Sequence, residues 1–179
     1  MSRLQMVSPD SEDPALRQMF DEVRAHGIAL PNVYRVIGLA PPLLRAWLDF
    51  AWPLRLQAKT PRRIRELLIL RGAQVSGARY EWVHHAAMAR SVGVTQAQID
   101  ALAGWEQSAL FDAREQAVLR LAEEVTRGPA ASPACIEALK QHFSDAEIVE
   151  LTLTASFYVC VSRFLQSMDV DLEPGLKDG

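Results

Sequence analysis

Three ionisable residues between Thr60 and Gly93 have types and spacings suited to proton transfer. Glu81 and His85 are four residues apart, so on a helix their side chains lie on one face, one turn from each other. Glu66 lies upstream among leucines and isoleucines, in the segment RELLILR. If two consecutive helices pack as an antiparallel hairpin, Glu66 reaches the face that carries Glu81 and His85. Two carboxylates and an imidazole in a partly dry cleft indicate general acid–base chemistry.

Two helices are needed to position these groups, and the sequence carries a start or stop signal for each. Thr60 and Pro61 are typical of a helix start, because a hydroxyl caps free N–H groups and proline suits the first turn. Gly77 offers the left-handed residue that ends such a helix. A second helix is predicted from about Ala78 to Val92. The two helices would bring the three ionisable residues together.

Neighbouring side chains are candidates for binding a substrate. Tyr80 can donate a hydrogen bond, and Trp82 can form a wall, although a tryptophan more often packs in the core. His84 points roughly 100 degrees away from His85 around the helix, so the two cannot share one face. A substrate carboxylate would also need a cation. The candidate cations are Arg71, Arg79 and Arg163.

The spacing alone leaves plainer interpretations open. Glu81 and His85 could be a helix-surface pair, and Glu66 could be solvated and paired with Arg62 or Arg63. Two carboxylates with one or two histidines could bind zinc, but no further ligand stands at motif spacing, so we predict no metal. A non-catalytic binding protein is the third alternative.

Length and composition predict one globular domain. The 179 residues suffice for a substantial core, with residues 1–10 as a loose N-terminal arm and 11–179 as a single domain. A net charge of -3 gives no basic field for a polyanion, so we expect no nucleic acid partner. No apolar run approaches the roughly 18 residues of a membrane span, and the start resembles no secretion signal. We therefore expect a cytoplasmic protein without a membrane partner.

The remaining pattern predicts helices throughout, about seven or eight in all, and no sheet. Capping signals begin helices at Thr95, Asp112 and Ser144, and Ser132 opens another. The helix after Ser144 is apolar around much of its circumference, so its own domain or a second subunit must cover it. The other predicted helices are Ser11 to about Ala25, a brief one after Pro31, and about Pro42 to Leu56.

Several segments together resemble one known family. RELLILR, YEW followed by His85, AMARSVG and a short helix ending IDAL lie in a core motif over residues 60–104. With PNVYRVIGLAPPLLRAWLDF upstream and SFYVCVSRFLQSMDVDLEP downstream, they are similar to the carboxymuconolactone decarboxylase family, which includes the alkylhydroperoxidase D-like proteins. The resemblance implies an all-α, single-domain helical bundle of the alkylhydroperoxidase D-like type. It also implies a homo-oligomer, as a dimer, trimer or hexamer.

The resemblance also bears on chemistry. Peroxidase members of the family carry a glutamate, two cysteines and a histidine, at positions matching Glu66, Ala78, Glu81 and His85. Because Ala78 and Glu81 replace both thiols, an alkylhydroperoxidase or peroxiredoxin activity would require Cys135 or Cys160 to be reactive. The decarboxylase branch instead implies a lyase that acts on a small carboxylated or lactone-type substrate. We expect it to use His85 as acid or base with Glu81 and Glu66, and no cofactor.

Overall fold

The computed structural model describes residues 2–176, which form nine α-helices and one 3-10 helix, without a strand. The prediction of an all-α fold is confirmed. Nine helices exceed the seven or eight expected, and two of the nine are only six residues long. The helices are α1 (Pro14–Ala25), α2 (Asn32–Ile37), α3 (Pro41–Leu56), α4 (Arg62–Ser76), α5 (Arg79–Ser91), α6 (Gln96–Ala101), α7 (Ala113–Arg127), α8 (Pro133–Lys140) and α9 (Asp145–Met168), and the 3-10 helix Leu102–Gln107 follows α6.

Helix α4 is the central element, because α5, α7 and α9 all pack against it. Every residue from Ile64 to Arg71 is buried, polar ones included. Leu68 belongs to the large core cluster with α1, α3, α7 and α9, whereas Leu67 belongs to a second cluster with α5, α6 and the 3-10 helix. A helix covered on all sides holds its side chains rigidly. It is therefore a firm support for a site.

The predicted capping boxes are confirmed. In each, the cap side chain accepts the N–H of the residue three positions later, whose own side chain accepts the N–H of the cap. The pairs are Thr95 with Gln98, Asp112 with Glu115, and Ser144 with Glu147.

The predicted start of α4 is wrong in its detail. The Thr60 hydroxyl caps nothing: it is buried and has no hydrogen-bond partner among the described residues. Instead, the carboxylate of Glu150 on α9 accepts the N–H groups of Lys59 and Thr60, each at 2.9 Å. A side chain 90 residues away thus supplies the acceptor, and no local signal announces it.

The N-terminal arm is held by hydrogen bonds to the body of the protein. The N–H of Val7 donates to the carbonyl of Arg35 at 3.1 Å, and the N–H of Arg3 donates to the carbonyl of Met168 at 2.9 Å. Helix α1 begins at Pro14 with Asp13 as its cap, rather than at Ser11. The N–H of Ser2 also donates to the carboxylate of Asp171 at 2.8 Å, so the arm lies beside the segment that follows α9.

Among residues 2–176, α9 alone has the length and apolar composition of a membrane span. That test is also met by core helices of soluble proteins, and Leu151, Tyr158 and Leu165 of α9 are buried in the large core cluster. Val149 and Leu153 on another face are exposed. The cytoplasmic location stays a prediction.

The turn between α4 and α5 generates the first testable prediction. Gly77 has φ +65°, and the N–H of Ala78 donates back to the carbonyl of Ala73 at 2.9 Å. A side chain disfavours this left-handed conformation by roughly 1–2 kcal/mol, so Gly77→Ala should lower the free energy of unfolding by about that amount. Gly104 has negative φ and open space around it, so Gly104→Ala is the matched control. Urea denaturation that shows equal effects for both variants would contradict the prediction.

Candidate active site

A buried hydrogen bond joins α4 to α5 through two of the predicted residues. Nδ1 of His85 lies 2.7 Å from Oε2 of Glu66, and both side chains are almost completely buried. Arg62 forms an ion pair with the other oxygen of Glu66. An ionised Glu66 requires a proton on Nδ1, so Nε2 of neutral His85 is a hydrogen-bond acceptor. The contact therefore fixes which nitrogen of His85 can take up a proton.

The second carboxylate lies one turn away along α5. Oε2 of Glu81 is 3.4 Å from Nε2 of His85. This oxygen is buried and has no hydrogen-bond donor among the described residues. His85 thus stands between two carboxylates, each facing one of its ring nitrogens. The order Glu66, His85, Glu81 is a possible path for a proton.

The two carboxylates differ in their electrostatic surroundings. Burial raises the pKa of Glu81 above its usual value, although His85, Arg55 and His84 partly oppose this effect. Burial also acts to raise the pKa of Glu66, but the charges and hydrogen bonds of His85 and Arg62 outweigh it and leave the pKa lowered. The surroundings of Glu66 therefore favour its ionised form, whereas those of Glu81 favour its protonated form. Carboxylates whose pKa values are pushed apart are the usual basis for distinct acid and base roles.

A cavity of about 380 Å³ opens beside this pair. Glu81 and His85 line it, whereas Glu66 lies behind His85 and does not. Most of the other walls are apolar or aromatic, with Trp47 from α3, Met88 from α5 and Phe157 from α9. The sequence predicted that all three ionisable residues meet at one site. The structure brings them together in a row, with two at the surface of the cavity and the third supporting them.

Tyr158 and Arg55 complete this wall. The ring of Tyr158 meets the ring of His85 edge-on, with centroids 4.9 Å apart, and burial raises the pKa of Tyr158 to about 12. Burial acts to lower the pKa of Arg55, but Tyr158, Tyr34 and Glu81 outweigh it and leave the pKa above its ordinary value. Arg55 also lines the cavity. A permanent positive charge is therefore present at the site.

The C-terminal segment 169–176 ties down a second group of polar residues. The carboxylate of Glu173 accepts hydrogen bonds from the Tyr80 hydroxyl at 2.5 Å and from the N–H of Asn32 at 2.6 Å. Its other oxygen lies 2.6 Å from Nε2 of His84, whose ring stacks on Tyr80. Burial opposes ionisation of Glu173, but the contacts with His84, Asn32 and Tyr80 lower its pKa to about 2. Tyr80 and His84 line the cavity, so this segment borders it.

Not every residue predicted to bind substrate reaches the cavity. Tyr80 and His84 line it, but Trp82 packs on the opposite side, against the cluster formed with α6 and the 3-10 helix. Arg71 is likewise turned away and forms an ion pair with Glu123 of α7. Arg79 and Arg163 are exposed and do not line the cavity. None of the three arginines predicted to hold a substrate carboxylate is in place to do so.

Sequence reasoning missed the residues that distant segments contribute. Arg55 stands in the last turn of α3, where a basic residue ordinarily pairs with the end of a helix. Trp47 lies on α3 as well, and Glu173 belongs to a segment without secondary structure. The one available signal was the aromatic content of α3, which is typical of a ligand wall as well as of a core.

The two cysteines lie outside the cavity. Cys135 is completely buried in the large core cluster, and burial raises the pKa of its thiol to about 11. Cys160 is exposed on α9, and both thiols are free. Within residues 2–176, no three His, Cys, Asp or Glu side chains are placed to hold a metal ion.

Comparison with known proteins supports the family resemblance. Residues 41–124, which include α3 to α6 and most of α7, match the carboxymuconolactone decarboxylase family. An uncharacterized Bacillus subtilis protein, YdfG, is 27% identical over 99 residues, which span 54% of this chain and 67% of YdfG. The family match over residues 41–124 contains the α4–α5 hairpin and therefore Glu66, Glu81 and His85.

Solved structures share the fold at low sequence identity. The alkylhydroperoxidase core of a peroxidase-related protein from Ralstonia eutropha superimposes with a TM-score of 0.84 at 22% identity, over 97% of this chain and 93% of that one. The debrominase Bmp8, solved with 2,3,4-tribromopyrrole, superimposes with a TM-score of 0.77 at 19% identity, over 97% and 95% of the two chains. At such identities the likeness concerns the fold.

The opposite pKa shifts of the two carboxylates generate a paired prediction. Because the folded state raises the pKa of Glu81, its ionisation costs stability as the pH rises above the ordinary value of 4.5. Glu81→Gln should therefore raise the melting temperature at pH 8, by about 2–4 °C per kcal/mol, and the difference should shrink toward pH 4. Glu66→Gln is the matched control and should lower the melting temperature at pH 8. Thermal shifts of the same sign for both variants would contradict this assignment.

The Glu173 contacts generate a second pH-dependent prediction. A pKa lowered from 4.5 to about 2 means that the stabilisation is present above pH 4.5 and is lost as the pH falls toward 2. Glu173→Gln should therefore reduce the free energy of unfolding by about 1–3 kcal/mol at pH 7 and by much less near pH 3. Glu137→Gln, at an exposed position on α8, should have little effect. A loss that urea denaturation finds equal at both pH values would point to packing alone.

Proposed function

We propose that this chain, whose residues 41–124 match the carboxymuconolactone decarboxylase family, is a cofactor-independent lyase of that family. It would act on a small carboxylated or lactone-type substrate by general acid–base catalysis. One observation carries the proposal: the buried row Glu66, His85, Glu81 ends at the wall of a largely apolar cavity. A row of this kind positions a proton where a bound molecule can receive it.

The chemistry of decarboxylation suits this arrangement. When the bond between carbon and the carboxylate breaks, carbon dioxide leaves and the electron pair stays on the substrate as a dienolate conjugated with the lactone carbonyl. The carbon that carried the carboxylate must then be protonated. Oε2 of Glu81 and Nε2 of His85 lie 3.4 Å apart at the cavity, and a proton carried by one of them would be transferred to that carbon. Glu66 stabilises the imidazolium whenever His85 carries the extra proton.

The remainder of the cavity supports this type of substrate. Apolar and aromatic walls exclude water, which strengthens electrostatic interactions inside the site. A buried carboxylate without a hydrogen-bond donor, such as Glu81, costs stability. A purely structural role gives no reason to keep it at the edge of a cavity. This disfavours the alternative of a non-catalytic binding protein.

A thiol peroxidase is the less favoured alternative. Peroxide reduction needs a thiolate that attacks oxygen and a second thiol that resolves the sulfenic acid. Ala78 and Glu81 occupy the two family positions, Cys135 is buried with a raised pKa, and Cys160 does not line the cavity. The peroxidase-related and debrominase structures show that this fold is associated with more than one chemistry, so function has to be argued from the site.

Self-association is also part of the proposal. Several large apolar side chains on α3 and α9 are exposed in the single chain, and a second copy of the chain would cover them. The exposed side chains are Leu43, Phe50 and Leu56 on α3 and Val149 and Leu153 on α9.

The catalytic role of His85 is tested by its removal. Carbon dioxide release is measured with a panel of carboxylated lactones and related keto acids, because the substrate is identified only by class. His85→Ala should lower kcat on any active compound by about 100- to 10,000-fold, the range of a general acid or base. Glu81→Gln should lower it comparably, since it removes the other member of the proton-sharing pair.

The matched control is His142→Ala, which changes an exposed histidine in the turn after α8. It should leave kcat within about twofold of the parent, as surface substitutions do. If the parent releases no carbon dioxide from the panel, or if His85→Ala is as active as His142→Ala, the proposed function is refuted.

A further inference from the structure

Arg55 is a half-buried arginine without a carboxylate partner, unlike three arginines of helix α4. Arg62 pairs with Glu66, Arg63 with Glu115 and Arg71 with Glu123. Within residues 2–176, no carboxylate oxygen lies within ion-pair distance of the Arg55 guanidinium. Its Nε is buried and lacks a hydrogen-bond acceptor among the described residues. Glu81 attracts Arg55 from a distance but makes no ion pair with it, so the guanidinium is free to bind an anion directly.

The position of Arg55 directs this charge into the cavity. Of the described residues that line the cavity, Arg55 is the one arginine, and none is a lysine. Its guanidinium carbon lies 5.9 Å from the centre of the Trp52 ring, which steadies the side chain from one side. Tyr158 interacts with Arg55 and also contacts the ring of His85. Tyr158 therefore links the positive charge to the proton-transfer pair.

The other cavity walls restrict what can accompany the anion. Trp47, Phe157 and Val161 present apolar surface, and Met88 adds a flexible thioether side chain. A second carboxylate on the ligand would lie against these groups without a cation, and an unpaired charge in such surroundings is costly. A volume of about 380 Å³ is at the small end of ligand sites and suits a single ring with short substituents.

We propose that Arg55 anchors one carboxylate of the ligand while the aromatic walls enclose an uncharged ring, so that the cavity selects cyclic monocarboxylates. This inference rests on the proposed function, since it names the substrate class of the same cavity. Arg55 would act as a specificity-determining residue. His85 and Glu81 would supply the proton.

The test measures binding without turnover. The probes are benzoate, its neutral amide benzamide and the dicarboxylate isophthalate, titrated into the full chain at neutral pH by calorimetry. Because a charge-assisted hydrogen bond typically contributes enough for a tenfold change in affinity, the parent should bind benzoate about tenfold more tightly than either other probe. Arg55→Met should reduce this preference to within about twofold. Arg127→Met, which removes an exposed guanidinium on α7, should keep the full preference.

Two further variants separate an anion anchor from a structural role. Arg55→Lys keeps the charge without the planar fork, so it should retain part of the preference for benzoate. His85→Ala should retain all of it, because the proton-transfer group does not hold the carboxylate. Circular dichroism and melting temperatures show whether each variant is folded. If Arg55→Met is unfolded, the inference is judged from the affinity of the parent and of Arg55→Lys for benzoate relative to the other two probes.

Several results would overturn the inference. These are a parent that binds benzamide or isophthalate as tightly as benzoate, no benzoate binding up to about 10 mM, or a full preference that persists in a folded Arg55→Met. The outcome is distinct from that of the proposed function. If the parent prefers benzoate but decarboxylates no compound, the role of Arg55 is supported and the lyase function is refuted. A parent that decarboxylates lactones without this preference keeps the lyase and loses the anchor.

Discussion

The hydrogen bond between Glu66 and His85 is the constraint on which the rest of the site depends. It places an ionised carboxylate inside the protein, where an unpaired charge would be very costly. The cost is met because His85 and Arg62 contact the two oxygens separately. Both partners must be held at fixed distance, and the burial of α4 among α5, α7 and α9 provides that rigidity. The central position of α4 thus holds one partner of this hydrogen bond in place.

The pKa values of the two glutamates in this hairpin shift in opposite directions. Glu66 has a cation and a hydrogen-bond donor and is held ionised, whereas Oε2 of Glu81 lacks a donor and burial favours its protonated form. The imidazole of His85 lies between them, with one ring nitrogen facing each carboxylate. Such asymmetry can be recognised only from the surroundings of each group, since the sequence shows identical residues.

The sequence was informative wherever the controlling interaction is local. The capping boxes at Thr95, Asp112 and Ser144 and the i,i+4 pair of Glu81 and His85 each depend on neighbours in the chain. The prediction was wrong at Thr60, because the acceptor comes from α9. It missed Arg55 for a similar reason, since most residues that form the cavity with Arg55 belong to other segments of the chain. Arg71 was one of three candidate cations, but its partner Glu123 on α7 turns it away from the cavity.

The residues proposed to carry the proton and most other residues of the cavity wall come from different segments of the chain. Glu81 and His85 come from α5. The other walls come from α3 with Trp47 and Arg55, from α9 with Phe157, and from the residues that precede α2. Substitutions on α3 or α9 can therefore alter the shape and charge of the cavity without moving the hydrogen bond between Glu66 and His85. This independence gives a physical reason why structures only about one-fifth identical to this chain, among them a debrominase, can share its fold.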